Sequence, residues 1–203
     1  MAGDAEVRLR RPFYERDTLL VANELLGATL VHENSDGATR GRIVEVEAYR
    51  GKTDLASHAA RSRQGAVESM WGPCGIAYVY RAYGIHVMFN VTAKESGETG
   101  AVLIRAVEPL TGQELMRGRR KIVDDRMLTT GPGNCCQAFG IMLSDHGTDL
   151  TSSDRIWIER GRPPRRIKAG ERIGISRSTE HPWRYFDAES RHVSAHRRGS
   201  DVT

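Results

Sequence analysis

Apolar and polar residues alternate most regularly in the first half of the chain. The segments "ATLVHE" (28–33) and "GRIVEVEAY" (41–49), separated by the turn-rich "NSDGAT", carry the period of two that sends successive side chains to opposite faces of a strand. "IAYVYRAYGIHVMFNVTA" (76–93) contains two β-rich arms flanking Tyr83 and Gly84, which predicts a hairpin with a tyrosine at its tip. "GAVLIRAVEP" (100–109) predicts a further strand, and "RIWIERG" (155–161) and "RIGISRS" (172–178) predict late ones. Helices are fewer. Asp17 or Thr18 can cap one through "LLVANELL" (19–26), ended by Gly27. Thr111 and Glu114 have the T-x-x-E spacing of a capping box before "GQELMRGRR" (112–120), and "GPGNCCQAFGI" (131–141) reads as a short helix entered through a glycine-rich turn. Runs of strands with a few helices predict an α+β fold around an antiparallel sheet.

No repeat, low-complexity tract or linker interrupts this pattern. The expectation is one domain over residues 9–195 and a basic, unstructured tail over 196–203. Hydrophobic residues make up 39% and charged residues 28%, as in soluble globular chains, and no apolar run reaches the ~18 residues of a membrane span. With no apolar targeting segment at the N-terminus, the expected location is cytoplasmic and nucleoid-associated. The net charge is +4, and of the 30 basic residues 26 are arginine, whose fork matches phosphate oxygens. A GC-rich genome produces the same arginine bias, so charge favours a nucleic-acid partner only modestly. Cys74, Cys135 and Cys136 lack the spacing of a metal or redox site and read as reduced, structural residues.

Two features invite chemistry. On strict alternation Ile43, Glu45, Glu47 and Tyr49 share one face of their strand, with Arg42, Val44, Val46 and Ala48 on the other. Same-face neighbours lie roughly 7 Å apart. Either each carboxylate is solvated or paired with an arginine, or one of them is chemically active. Tyr83, at the hairpin tip, either folds back onto the sheet or serves as a wedge of the kind that fills the gap left by an unstacked base.

"RIVEVEAY", His58 in "DLASHA", "AYVYRAYGIHVMFNV", "AVLIRAVEPL", "GPGNCCQAFGI" and "PWRYF" occur in one order over residues 13–194. Together they resemble the alkyladenine (3-methyladenine) DNA glycosylase family. The resemblance implies a single mixed domain with a curved antiparallel sheet, flanking helices and a protruding β-hairpin. It implies an enzyme that flips alkylated or deaminated purines out of duplex DNA and hydrolyses the N-glycosidic bond, leaving an abasic site, with no metal or cofactor. Glu47 matches the family's general base and Arg105 the arginine that helps hold the water. Tyr49, His58 and Tyr80 match residues packing around the extruded base, Asn90 the amide that discriminates among purines, and Tyr83 the wedge. Ile85, Arg61 and Arg63 are the further expected contacts to DNA, and the expected state is a monomer.

The chain departs from the family pattern in places. "ARSRQGAVES" (60–69) lacks a proline common there, Cys74 stands where proline is usual, and Arg81 and Ile85 replace larger or more apolar residues. Glu45 matches no family role and is expected to pair with an arginine. Two rival readings fit part of the pattern: a non-catalytic nucleic-acid-binding module, which would not need Glu47, and an enzyme of free nucleosides, which would not need the wedge or the clusters "RGRRK" (117–121) and "RGRPPRR" (160–166).

Overall fold

The computed structural model describes residues 7–122, 124–194 and 199–202. A single helical turn, α1 (Arg11–Tyr14), precedes α2 (Thr18–Leu25). Asp17 is the cap: its Oδ1 accepts from the N–H groups of Leu19 at 2.8 Å and Leu20 at 3.2 Å. Thr18, Val21, Ala22 and Leu25, spaced i, i+3, i+4, i+7, form the buried face of α2, which rests on the sheet. Gly27 follows with φ +88°, where a Cβ would stand 2.1 Å from the carbonyl oxygen of Arg162. Only glycine fits there.

Nine strands occur among the described residues: β1 (Thr29–Asn34), β2 (Gly37–Arg50), β3 (Ala77–Ala82), β4 (His86–Thr92), β5 (Gly100–Thr111), β6 (Ile156–Glu159), β7 (Ile167–Gly170), β8 (Arg184–Asp187) and β9 (Ser200–Asp201). They form one antiparallel sheet, curled into a half-barrel, in the order β3-β4-β5-β2-β8-β7-β9, with β1 paired to β2 and β6. Strand β2 is the spine. Strand β5 runs along one edge of it, while β1 and then β8 share the other. The α+β class and the protruding β3–β4 hairpin are as the sequence implies.

Strict alternation fails at one place, and the failure builds the site. The β2–β5 register passes from Ile43↔Val107 to Glu45↔Ala106 and then to Val46↔Ile104, so Val44 and Arg105 are each an extra residue in their strand. Ile43 therefore joins Val46 and Ala48 in the main core, whereas Val44 packs with Ala106, Phe186 and Val193 on the other side. The expected face of Ile43, Glu45, Glu47 and Tyr49 is corrected to Val44, Glu45, Glu47 and Tyr49. The same irregularity puts Arg105 and Ala106 together on the site side of β5, between Ile104 and Val107 of the core.

Three further expectations change. Helix α3 (Gln113–Arg120) has Gly112 at its N-cap with φ +79° and no side-chain cap, because β5 continues through Pro109 and commits Thr111 to pairing with Arg40. The segment "RIGISRS" is a loop, not a strand: its backbone serves the site, as described below. Within the tail expected to be unstructured, Ser200 and Asp201 pair with β7 and Arg166 bonds Asp201 at 2.8 Å, while residues 196–198 and 203 lie outside the described residues. After α4 (Asp125–Leu128), α5 (Pro132–Phe139) is entered as expected through Gly131 at φ +92°, with proline at its start, and packs on β4 and β5.

One buried ion pair straps the 172–178 loop to the sheet. Asp54 and Arg172 have fully buried side chains and bond twice, at 2.6 and 2.8 Å. Arg172 also donates to the carbonyls of Ala48 at 2.9 Å and Ser178 at 3.1 Å, and Asp54 accepts from the N–H groups of Arg50 and Ala56. Asp54→Ala leaves a guanidinium in the interior with no counter-charge, and the expected loss of unfolding free energy is about 3 to 5 kcal/mol. Urea denaturation measures it, and a loss below about 1 kcal/mol, the scale of a surface pair, would contradict the strap.

Candidate active site

Glu45 and Glu47 have no solvent exposure, so each must find its partners inside the protein. Arg105 reaches both: its Nε donates to Glu45 Oε1 at 3.2 Å and its Nη1 pairs with Glu47 Oε1 at 3.1 Å. Arg184, opposite Glu47 across the β2–β8 ladder, supplies a second cation to Glu45 Oε1 at 3.0 Å. Ser194 adds its Oγ to Glu45 Oε1 at 2.7 Å and its N–H to Oε2 at 2.9 Å. Burial alone would raise the Glu45 carboxyl, but Arg105, Ser194 and Arg184 together hold it below its ordinary value. Burial alone would lower the Arg105 guanidinium, and the two carboxylates outweigh that and raise it. Two anions and two cations thus balance within one buried cluster.

The two carboxylates are not equivalent. A carboxylate offers about four lone-pair positions. Glu45 takes four donors, Arg105, Arg184 and the Ser194 hydroxyl on Oε1 and the Ser194 N–H on Oε2. Glu47 receives the Ile173 N–H on Oε1 at 2.7 Å, Arg105 on the same oxygen, and the Tyr49 hydroxyl on Oε2 at 2.8 Å. Each Oε2 carries one donor, but that of Glu47 lies beside Tyr49, which lines the cleft described next, whereas that of Glu45 lies beside Ser194, which does not. Because the Ile173 N–H is spent on Glu47, the "RIGISRS" segment cannot offer it to a ladder, which accounts for its being a loop.

Above this cluster opens a cleft of about 610 Å³. Tyr49, His58, Tyr80, Asn90 and Arg105 line it, and Ile173 to Ser176 supply one wall. Glu47 does not line it: the carboxylate lies one layer below, behind Tyr49 and Arg105, to which it bonds. Tyr78 and Tyr80 stack at 5.2 Å between centroids with 28° between planes, and His58 meets Tyr80 edge-on at 4.6 Å. His58 Nδ1 lies 2.6 Å from the Tyr78 hydroxyl, and burial, then Arg61, pushes its pKa below 6.5, so the imidazole is neutral at pH 7. Burial and the neighbouring Glu47 push the Tyr49 hydroxyl well above its ordinary value, and those of Tyr78 and Tyr80 also rise, Tyr80 to about 12. All three are neutral donors at physiological pH. Asn90 donates from Nδ2 to the Tyr78 carbonyl at 3.0 Å, and its Oδ1 has no hydrogen bond among the described residues.

The hairpin tip overhangs this cleft. Tyr83 and Gly84 both have positive φ, +51° and +72°, and the Ile85 N–H bonds the Ala82 carbonyl, the pattern of a type I′ turn. That turn favours Asn-Gly, and a tyrosine in the left-handed region is strained. Tyr83 is nonetheless 81% exposed, so it does not fold back onto the sheet, and Ile85 beside it is 72% exposed. Arg61 is exposed at the cleft edge and donates to the Leu55 carbonyl at 3.2 Å, whereas Arg63 lies over Trp71, 4.6 Å from the ring centroid, and does not line the cleft. Ten sequence-derived site residues therefore fall into a cleft group, a tip group and the outlying Arg63. Arg184, Ser194, the Ile173 N–H and the Arg172–Asp54 strap are additions. Arg184 lies in "PWRYF" and Asp54 in "DLASHA", but neither the register that turns Arg184 onto Glu45 nor the pairing of Asp54 with Arg172 is encoded in those motifs.

The family profile described as methylpurine-DNA glycosylase matches residues 12–191. A protein of Chlorobaculum parvum is 43% identical over 196 residues, 95% of this chain and 93% of that one. Relatives from Chlorobaculum tepidum and Methanoculleus marisnigri are 44% and 43% identical, covering 92% and 90% of this chain and 90% and 96% of their own lengths. All three carry the name "Putative 3-methyladenine DNA glycosylase". With a match running from α1 past β8 and so taking in the cleft, the hairpin and the buried cluster, this chain belongs to the methylpurine-DNA glycosylase family.

Proposed function

We propose that this DNA glycosylase for alkylated bases acts on damaged purines flipped out of duplex DNA and that Glu47 is the base that activates water. The observation that carries the reading is the asymmetry of the buried carboxylates. Glu45 receives four donors and its Oε2 faces Ser194, away from the cleft, whereas Glu47 receives three and its Oε2 keeps an acceptor position beside Tyr49, beneath a cleft walled by aromatic rings.

The chemistry follows from these parts. Breaking the bond between a purine and its sugar develops positive charge on the sugar ring, which a carboxylate just below the cleft stabilises. A water entering between Tyr49 and Arg105 gives its proton to Glu47 and its oxygen to C1′ of the sugar, and the bonding pair leaves with the purine. Arg105 lines the cleft, and its Nη2, which has no hydrogen bond to a described residue, is a donor for that water. Alkylation at N3 or N7 makes the purine a cation, which the faces of Tyr49 and Tyr80 favour. The neutral His58 is a polar contact and not a competing cation. Asn90, fixed by its bond to Tyr78, takes up room that the amino group of guanine would need on its minor-groove edge.

A monofunctional course is part of the proposal. Strand cleavage through a Schiff base needs an amine nucleophile. The basic groups along the cleft, among the described residues, are His58 and the guanidinium groups of Arg61, Arg81 and Arg105. A non-catalytic module has no use for an acceptor held open beneath such a cleft, and an enzyme of free nucleosides has no use for an exposed tyrosine in a strained turn.

Two substitutions test the reading. Glu47→Gln keeps the shape of the side chain but cannot take a proton, so single-turnover excision of hypoxanthine or 3-methyladenine should fall about 10² to 10⁴-fold, with duplex binding retained. Excision near the wild-type rate would remove Glu47 from the role. Tyr83→Asn replaces a strained residue with one that tolerates positive φ, so thermal stability should hold or rise. Loss of the wedge should nonetheless slow excision, more from a paired duplex than from a mismatch that is already easier to open. Equal slowing on both substrates would mark Tyr83 as a residue of the turn alone.

A further inference from the structure

Arg105 is placed where two carboxylates compete for it. A guanidinium facing one carboxylate ordinarily bonds it through two parallel N–H groups. Here the approach to Glu47 is through one nitrogen, Nη1, at 3.1 Å, while Nε is committed to Glu45 at 3.2 Å. Glu45 in turn is immobile: Arg184 and both donors of Ser194 fix it, and its side chain has no solvent exposure. Nothing in the reaction proposed above uses Glu45 directly, since neither it nor the Ser194 that bonds its Oε2 lines the cleft.

We propose that Glu45 is a positioning residue: by holding Arg105 through Nε, it limits the guanidinium to a single contact with Glu47 and leaves Glu47 Oε2 and Arg105 Nη2 for the attacking water. The inference rests on the reading of Glu47 as the base. Without the anion at position 45, Arg105 has one carboxylate left within reach. It then turns to pair with Glu47 through two N–H groups, which fills the acceptor position that water needs and withdraws Nη2 from the cleft. The remaining polar and charged neighbours of Glu47 do not replace Glu45 in this. Tyr49 on β2 already donates to Oε2, Tyr80 on β3 is neutral, Arg184 on β8 is committed to Glu45 and the Glu171 carbonyl, and Arg172 is committed to Asp54. The bulges at Val44 and Arg105 are what bring the three groups into this arrangement.

A double-mutant cycle on excision separates this role from a merely structural one. Single-turnover rates on a hypoxanthine duplex would be measured for the wild type, Glu45→Gln, Arg105→Gln and the double variant, with the duplex Kd and melting temperature of each. A displaced arginine costs on the order of 10- to 100-fold in rate, so Glu45→Gln should lose that much while its Kd stays within about twofold of wild type. The double variant should be no slower than Arg105→Gln alone, because Glu45 acts through Arg105. Losses that multiply, or a Glu45→Gln rate within twofold of wild type, would overturn the proposal. Should Glu45→Gln not fold, Glu45→Asp keeps the charge but draws the carboxylate back by one methylene. It should still slow excision, and an unchanged rate overturns the proposal equally. Glu47→Gln in the same assay distinguishes the two failures. If it is active, the reading of Glu47 is wrong; if it is inactive while Glu45→Gln or Glu45→Asp is not impaired, only the role of Glu45 is wrong.

Discussion

Two carboxylates on one face of a strand, both cut off from water, have to be neutralised from within, and much of the architecture around the cleft serves that requirement. Isolated buried charges cost several kcal/mol each, and a buried ion pair recovers this only when its geometry is complete. Completeness here draws on four separate parts of the chain. Strand β2 brings Glu45 and Glu47, β5 brings Arg105, β8 brings Arg184, and the segment after β8 brings Ser194. The site is thus assembled only when strands far apart in sequence are in register. Losing either arginine or either glutamate leaves an uncompensated charge, and losing the Ser194 hydroxyl takes a hydrogen bond from Glu45.

The same requirement explains two irregularities that would otherwise weaken the sheet. The bulges at Val44 and Arg105 interrupt the longest strand pair in the molecule, yet they let Glu45 and Arg105 face each other while Ile43, Ile104 and Val107 remain in the core. The 172–178 loop gives up ladder pairing so that the Ile173 N–H can serve Glu47, and the Arg172–Asp54 pair holds that loop down. Arg172 also lies over the ring of Tyr49, 4.8 Å from its centroid, so the strap and the aromatic wall of the cleft share one side chain. At the hairpin the conflict is left unresolved: Tyr83 keeps a left-handed backbone and an exposed ring where Asn would relax the turn. Strain retained at an exposed position is consistent with a function outside the folded chain, here the proposed wedge into DNA.

Much of the fold was legible in sequence because it rests on local signals. Period-two alternation located β1, β2 and β5, the Tyr83–Gly84 dipeptide located the hairpin, and Asp17 and Gly27 bounded α2. The errors came where long-range pairing overrides local preference. Thr111 looks like a helix cap but is held by its partner Arg40 in the sheet. "RIGISRS" looks like a strand until its N–H is seen to bond a carboxylate 126 positions earlier in the chain. Within the site, the ordered blocks pointed to Arg105 and to Tyr49, His58, Tyr80 and Asn90, which the structure brings together along one cleft, and to Glu47 beneath it. Glu45 could be read only as an arginine partner, because which arginine it meets depends on two bulges and a β2–β8 register that no local pattern encodes.

The central claim, that a water activated beside Glu47 attacks the sugar directly, is tested by the state of the strand and by what stays attached to it. The wild-type protein would be incubated under single-turnover conditions with a duplex holding one hypoxanthine, with borohydride present in a parallel reaction. The account predicts free base, a strand that breaks only on alkaline treatment and no protein trapped on DNA. Strand cleavage without alkali, or a borohydride-trapped protein–DNA adduct, would contradict it.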